Sequence, residues 1–332
     1  MPARIVVVLA LLTLAIVPPA AAQAPPPPPD WTVSLTGRVW ATTGWSNWNF
    51  KSAGVDPASD LRWRGVDALV GEVAADLTWK RLVWMLSIGG TPLADGTLID
   101  EDFARSDRQG RFSVTRSPVD SGYIFYVNND VGVRAVRWDQ PLFGPAPAAP
   151  APTGYVDAFV GYQFWREDYV GFGAQGSLIL APNRVVNQFE PRSVRFVEHE
   201  YSRHSIRIGA RGQAPIIGRL SVKGLIAISP YTHTDHEATQ FLRTDLRNPT
   251  VSSANGGFGV QGEIGLAYAV WRGLSAEAGF RYWRFDSGHG DVVSQIRPEN
   301  DVVLRGSAQG RARLDEAITE RYGPYLGVSW RF

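Results

Sequence analysis

The chain has no cysteine in 332 residues. That excludes a disulfide framework and any thiolate metal site, although the N-terminus points to export, where disulfides are common. Past the N-terminus no apolar run approaches the roughly 18 residues that would mark a membrane-spanning helix. An excess of one charge is missing too. With 33 Lys and Arg against 32 Asp and Glu the net charge is +1, which gives no general electrostatic case for nucleic acid. No phosphate-cradling glycine motif occurs, and neither a cofactor nor a metal site is suggested.

The N-terminus is rich in what the rest lacks. Ile5 to Val17 is an apolar run behind Arg4, broken only by Thr13 and followed by Ala20-Ala21-Ala22. This predicts a signal peptide over 1–22, cleaved before Gln23. Pro25 to Pro29 lack backbone donors and predict an extended periplasmic spacer over 23–30. The folded domain is expected over 31–332.

The remaining chain reads as strands. Leu326, Val328, Trp330 and Phe332 fall on one face of the closing segment, with Tyr325, Gly327, Ser329 and Arg331 on the other. Phe258, Val260, Ile264, Leu266, Tyr268 and Val270 repeat the pattern against Gln261, Glu263 and small residues. Charge and glycine on the inner face suit a wet or tightly filled lumen and not an apolar core. About ten strands are predicted, near 32–43, 60–79, 82–92, 121–138, 154–174, 195–213, 219–233, 256–270, 274–284 and 317–332.

Tight turns at Lys80-Arg81, Gly218 and Arg272 alternate with long polar connections at 44–59, 93–120, 234–255 and 285–316. Short periplasmic turns and long extracellular loops mark an all-β, antiparallel transmembrane β-barrel of the bacterial outer membrane. The Pro/Ala-rich segment Pro141 to Thr153 is expected as a flexible periplasmic insertion. Twelve Trp and 11 Tyr suit aromatic girdles.

Two clusters could carry chemistry. Asp100 and Asp102 are two apart, so in extended chain they point the same way and could share a proton or orient a water. His233, Asp235 and His236 lie past the outer end of another strand, where a carboxylate beside an imidazole supplies a general base. Solvated loop charges would look the same. His199 and His204 read as lumen or interface polar groups and His289 as a loop residue. Lys51, Arg105, Arg192 and Arg195 could hold lipid phosphate.

The stretch Gly96 to Phe103 resembles the signature of the omptin family of outer-membrane proteases, in which glycine, an apolar pair and Asp-x-Asp-aromatic supply a catalytic carboxylate pair. Ser59-Asp60-Leu61-Arg62-Trp63, Gly161-Tyr162-Gln163 and Leu326 to Phe332 match in order. The resemblance implies a ten-stranded barrel protruding above the membrane. It also implies a groove in which the Asp pair faces an Asp–His pair across a water, endopeptidase activity beside basic residues, and dependence on lipopolysaccharide.

Carried over, Asp100 and Asp102 match directly. The family separates its second Asp and His by one residue, whereas Asp235 and His236 are adjacent. If His236 holds the histidine position, Thr234 takes that of the Asp; alternatively His233 faces inward with Asp235. Gly44 to Phe50 has no acidic residue for a basic-residue pocket. The expected function is an aspartate-type endopeptidase acting on peptides or proteins. The alternatives are a catalytically silent barrel serving as adhesin, structural or lipopolysaccharide-binding protein, and a narrow pore. Against a pore, Glu72, Asp76, Glu263, Glu277 and Arg281 are expected to pair and plug the lumen.

Overall fold

The computed structural model describes residues 31–145, 152–181, 184–242, 246–296 and 309–332. The signal peptide and spacer expected over 1–30 lie outside these residues. Ten antiparallel strands close into a barrel: β1 (Trp31–Ser52), β2 (Val55–Trp79), β3 (Leu82–Arg105), β4 (Gln109–Trp138), β5 (Gly154–Ala181), β6 (Arg184–Ile217), β7 (Leu220–Gln240), β8 (Leu246–Trp271), β9 (Leu274–Ile296) and β10 (Gln309–Arg331). Each strand pairs with its neighbours in sequence, and β1 closes on β10 from Ser34↔Arg331 to Lys51↔Arg313. Closure leaves no sheet edge, which an apolar bilayer requires.

The alternation in the sequence sorts side chains to the two surfaces. On β8, Phe258, Ile264, Leu266, Tyr268 and Val270 are exposed on the outside, while Gln261 is buried in the lumen. On β10, Leu326, Val328 and Trp330 face outward and Tyr325 and Arg321 inward, and Phe332, just past its end, is exposed as well. A continuous apolar band results. Trp31, Trp79, Trp271 and Trp330 rim its lower edge, on the side of the chain ends; Tyr162, Tyr231 and Tyr322 stand at its upper edge. These are the two girdles of a lipid-facing wall.

The strands run past that band. β2 has 25 residues and β6 has 34, against the roughly 9–11 that a tilted strand needs to cross a bilayer. Beyond the upper girdle the outer wall is charged: Glu101 holds Arg62 and Arg111, Arg166 pairs with Glu200, and Arg284 with Glu320. The segments expected as long outer loops, 44–59, 93–120, 234–255 and 285–316, are largely paired strand among the described residues. Only Ala53-Gly54 separate β1 from β2, and Ser106 to Arg108 separate β3 from β4. At the opposite end the turns fall where the sequence places them. The described start of the expected insertion is tied down, since Leu142 N and Phe143 N donate to the carbonyls of Pro215 and Ile216.

The lumen is filled in layers. Lowest is an ion network: Arg134 and Arg211 on Asp157, with Arg211 also on Asp76. Next, Glu72, Glu263 and Glu277 hold Arg38, Arg281 and Lys223. Above lies an aromatic layer, Trp40, Tyr126, Trp165 and Trp283, with centroids 4.9–5.3 Å apart. Then Glu167 holds Arg203 and Arg321, all three nearly inaccessible. Glu72, Asp76, Glu263, Glu277 and Arg281 therefore pair as the sequence reading expects, and the barrel holds a packed plug.

Candidate functional site

On this plug, at the outer end, sits a mixed aromatic and imidazole cluster. Five neighbouring or facing strands build it. On β6 the odd-numbered residues Val197, His199, Tyr201 and Arg203 face the lumen, and on β7 Thr232, Thr234, His236 and Ala238 do. Register pairs Tyr201 with His236 and His199 with Ala238, so the two histidines are diagonal neighbours, within reach of long side chains. His199 Nδ1 lies 2.8 Å from His236 Nε2, and His236 Nδ1 lies 2.9 Å from Ser252 Oγ on β8. Tyr201 stacks on His236 with centroids 4.4 Å apart, and Trp48 of β1 approaches the same ring at 4.2 Å. Trp63 of β2 sets its edge against His199 at 4.8 Å.

Both rings are almost wholly buried. Burial disfavours the imidazolium, lowering the His199 pKa to about 3 and, with His199 and Arg203 nearby, driving that of His236 well below the usual value. Both are neutral at physiological pH.

The carboxylate pair stands on the facing wall. In an antiparallel pair, opposed residues share a face, and Asp100 is opposite Leu61 and Asp102 opposite Ser59. Leu61 and Ser59 are buried on the lumenal side, and Ser59 Oγ lies 3.5 Å from Asp100 Oδ1. Glu101 takes the opposite, outer face with Arg62 and Arg111. Asp100 is one lumenal step outward of Leu98, which is the register partner of Trp63. The Asp pair thus lies one lumenal step beyond the level of Trp63, whose edge meets His199.

Asp235 is elsewhere. Regular pairing from Thr234↔Ala254 to Ala238↔Thr250 puts Asp235 and His236 on opposite faces. The local irregularity is on β8, where Gly256 takes φ +79, and not between Asp235 and His236. On the outer wall His233 Nδ1 is 2.7 Å from Asn255 Oδ1 and its Nε2 is 3.0 Å from Asp235 Oδ2. So the structure separates the expected Asp235–His236 pair and joins Asp235 to His233, away from the lumen. Thr234 occupies the inward position two residues before His236 and bonds Ser287 Oγ at 2.6 Å.

Among the other candidates, His204 is outside, 2.6 Å from Tyr162 Oη, and His289 bonds the Asp315 carbonyl. Lys51 is held by Asp56 and Asp315, and Arg195 by Glu198. His199 is the functional candidate that sequence reasoning left as a plain polar group. Its odd-numbered phase, shared with the buried Tyr201 and Arg203, is the signal that puts it on the lumenal face, and the β6–β7 register brings it to His236.

The closed sheet, the lipid-facing band and the charged outer extension define a bacterial outer-membrane β-barrel whose lumen is filled with ion-paired and aromatic side chains. In overall fold the chain is similar to the outer membrane protease OmpT from Escherichia coli, with a TM-score of 0.72 over 91% of this chain and 97% of that chain, at 11% identity. The toluene transporters TodX of Pseudomonas putida and TbuX of Ralstonia pickettii align with TM-scores of 0.23 and 0.22 at 8% and 9% identity, over 92% and 91% of this chain and 91% and 90% of theirs, too low to carry an argument. No protein-family profile matches the chain, and no curated protein matches it by sequence.

Proposed function

We propose that the protein is an outer-membrane endopeptidase of omptin type, hydrolysing peptide bonds with a water held between Asp100 and Asp102 on one wall and the His199–His236 pair on the other. The observation that carries this reading is the shared lumenal face of Asp100, Asp102 and His236 at the outer end of a plugged barrel. Such a site meets material from outside the cell and passes nothing through. The imidazoles accept and return a proton; the carboxylates orient the water and stabilise charge on its attack. Removing either set is expected to cost orders of magnitude in kcat. Lipopolysaccharide is the expected lipid partner, a reading supported by the guanidinium groups of Arg166 and Arg284 just beyond the upper girdle.

A second reading, a barrel of the same architecture that does not hydrolyse, is favoured by Thr234 where the resemblance calls for a carboxylate. The test is incubation of the refolded chain with lipopolysaccharide and a mixed-sequence peptide library, read by mass spectrometry. Cleavage products lost in Asp100→Asn and Asp102→Asn support the protease. No product at any site gives the non-hydrolytic barrel.

A further inference from the structure

His199 and His236 share more than proximity. Ser252 Oγ, the two rings and the far nitrogen of His199 form one hydrogen-bonded chain, with contacts of 2.9 and 2.8 Å. At its end His199 Nε2 has no partner among the described residues, although the side chain is 1% exposed. His236, by contrast, has both ring nitrogens engaged. A neutral imidazole carries one proton, and only one proton fits between His199 Nδ1 and His236 Nε2. The two rings are therefore locked together. Either both protons sit on Nδ1, leaving His199 Nε2 a bare lone pair, or both sit on Nε2, leaving a buried N–H aimed at nothing. Orphaned buried N–H groups are rarer than unmet acceptors, which favours the first arrangement.

From this geometry we infer that His199 Nε2 is the base of the site, and that His236 and Ser252 are positioning residues behind it. The inference rests on the hydrolytic reading above. As the water oxygen bonds to the scissile carbonyl carbon, one water O–H breaks and its proton moves to His199 Nε2; the carbonyl electron pair moves onto oxygen. Collapse of that intermediate breaks the C–N bond, and the proton passes from His199 Nε2 to the departing amine. While His199 is charged, its Nδ1–H donates to the His236 Nε2 lone pair, and His236 Nδ1–H donates to Ser252 Oγ. A second imidazole and a hydroxyl thus stand in for the carboxylate that Thr234 lacks. Tyr201 packs against both rings, its own centroid 6.3 Å from that of His199 and 4.4 Å from that of His236.

The test has a structural and a kinetic arm, both on the full refolded chain in detergent with lipopolysaccharide. Solid-state 15N NMR reads the ring nitrogens without turnover. Of the five histidines only His199 and His236 are buried, so their mutual N–H···N coupling identifies them. The expected pattern is protonated Nδ1 and bare Nε2 on both rings. A protonated Nε2 on His199, or no coupling between the rings, overturns the inference. In the kinetic arm His199→Gln is expected to lower kcat about 10²–10⁴-fold with KM little changed, as for loss of a general base. His236→Gln lowers kcat less, and Ser252→Thr retains more activity than Ser252→Ala. A larger kcat loss for His236→Gln than for His199→Gln overturns the assignment of the base. A parent with the expected nitrogen pattern that cleaves nothing overturns the hydrolytic reading instead, and the base role with it.

Discussion

Replacing Glu167 with Gln tests whether the layer beneath the site is held by charge. Its carboxylate accepts from Arg203 Nη1 at 3.3 Å and Arg321 Nε at 2.8 Å, and all three side chains are at most 1% exposed. Arg321 also donates to Tyr169, and Arg203 to Thr319, which bonds Ser46. Glutamine keeps the shape and one acceptor but leaves two buried guanidinium groups without a counter-charge. Breaking a buried pair in this way costs about 3–5 kcal/mol. The outer pair Arg166–Glu200, 36% and 34% exposed, is the control; Glu200→Gln should cost about 1 kcal/mol or less. Urea unfolding of the detergent-bound barrel, with slope and midpoint both read, makes the comparison. Replacing the triad together by Glu167→Leu, Arg203→Met and Arg321→Met should recover much of the loss, because no charge is then stranded. Equal midpoints for Glu167→Gln and Glu200→Gln would refute the reasoning.

The two buried histidines predict an acid limb in stability. Their folded pKa values lie below the ordinary 6.5, so the unfolded chain binds more protons between those values. The stabilisation is full above about pH 6.5 and is lost progressively as pH falls below it, for His199 down to about 3, by on the order of 1 kcal/mol per histidine in the first unit. Unfolding midpoints between pH 7.5 and 4.5 check this; a profile unchanged in His199→Gln and His236→Gln contradicts it. Asp235→Ala and His233→Ala, both on the outer wall, should leave kcat/KM within about twofold of the parent, whereas a collapse in either would return that pair to the site. Phe332→Asp should impair outer-membrane assembly, since an exposed aromatic that stacks on Trp330 at 6.0 Å becomes a charge at the lipid-facing end of β10. Unimpaired amounts of heat-modifiable barrel in outer-membrane fractions would remove that role.

The apolar alternation carried the fold where lipid reads it. Lys80-Arg81, Gly218 and Arg272 end their strands as the sequence indicates, because there the lipid-facing phase stops at a turn. At the outer ends the phase fades while the strands continue. Residues such as Asp60, Arg62, Glu101 and Arg111 face water or each other on the outer wall, so polarity there marks emergence from the membrane and not the end of pairing. The site was legible in the same proportion. Alternation alone puts Asp100 with Asp102 on one face and parts Asp235 from His236. What it cannot supply is cross-strand register: His199 meets His236 because Tyr201 pairs with His236, a relation between segments about 35 residues apart. The extra residue on β8 near Gly256, which follows one on β7 between Ser229 and Thr232, is equally invisible in one strand's sequence.

The central claim is that carboxylates on β3 and imidazoles on β6 and β7 act on one water. A double-mutant cycle in kcat/KM between Asp100→Asn and His199→Gln measures that coupling directly. Groups that serve a single step are strongly non-additive, so the double variant should be hardly slower than the slower of the two single variants. Losses that multiply across the cycle, or single variants that cleave as fast as the parent, would contradict the account.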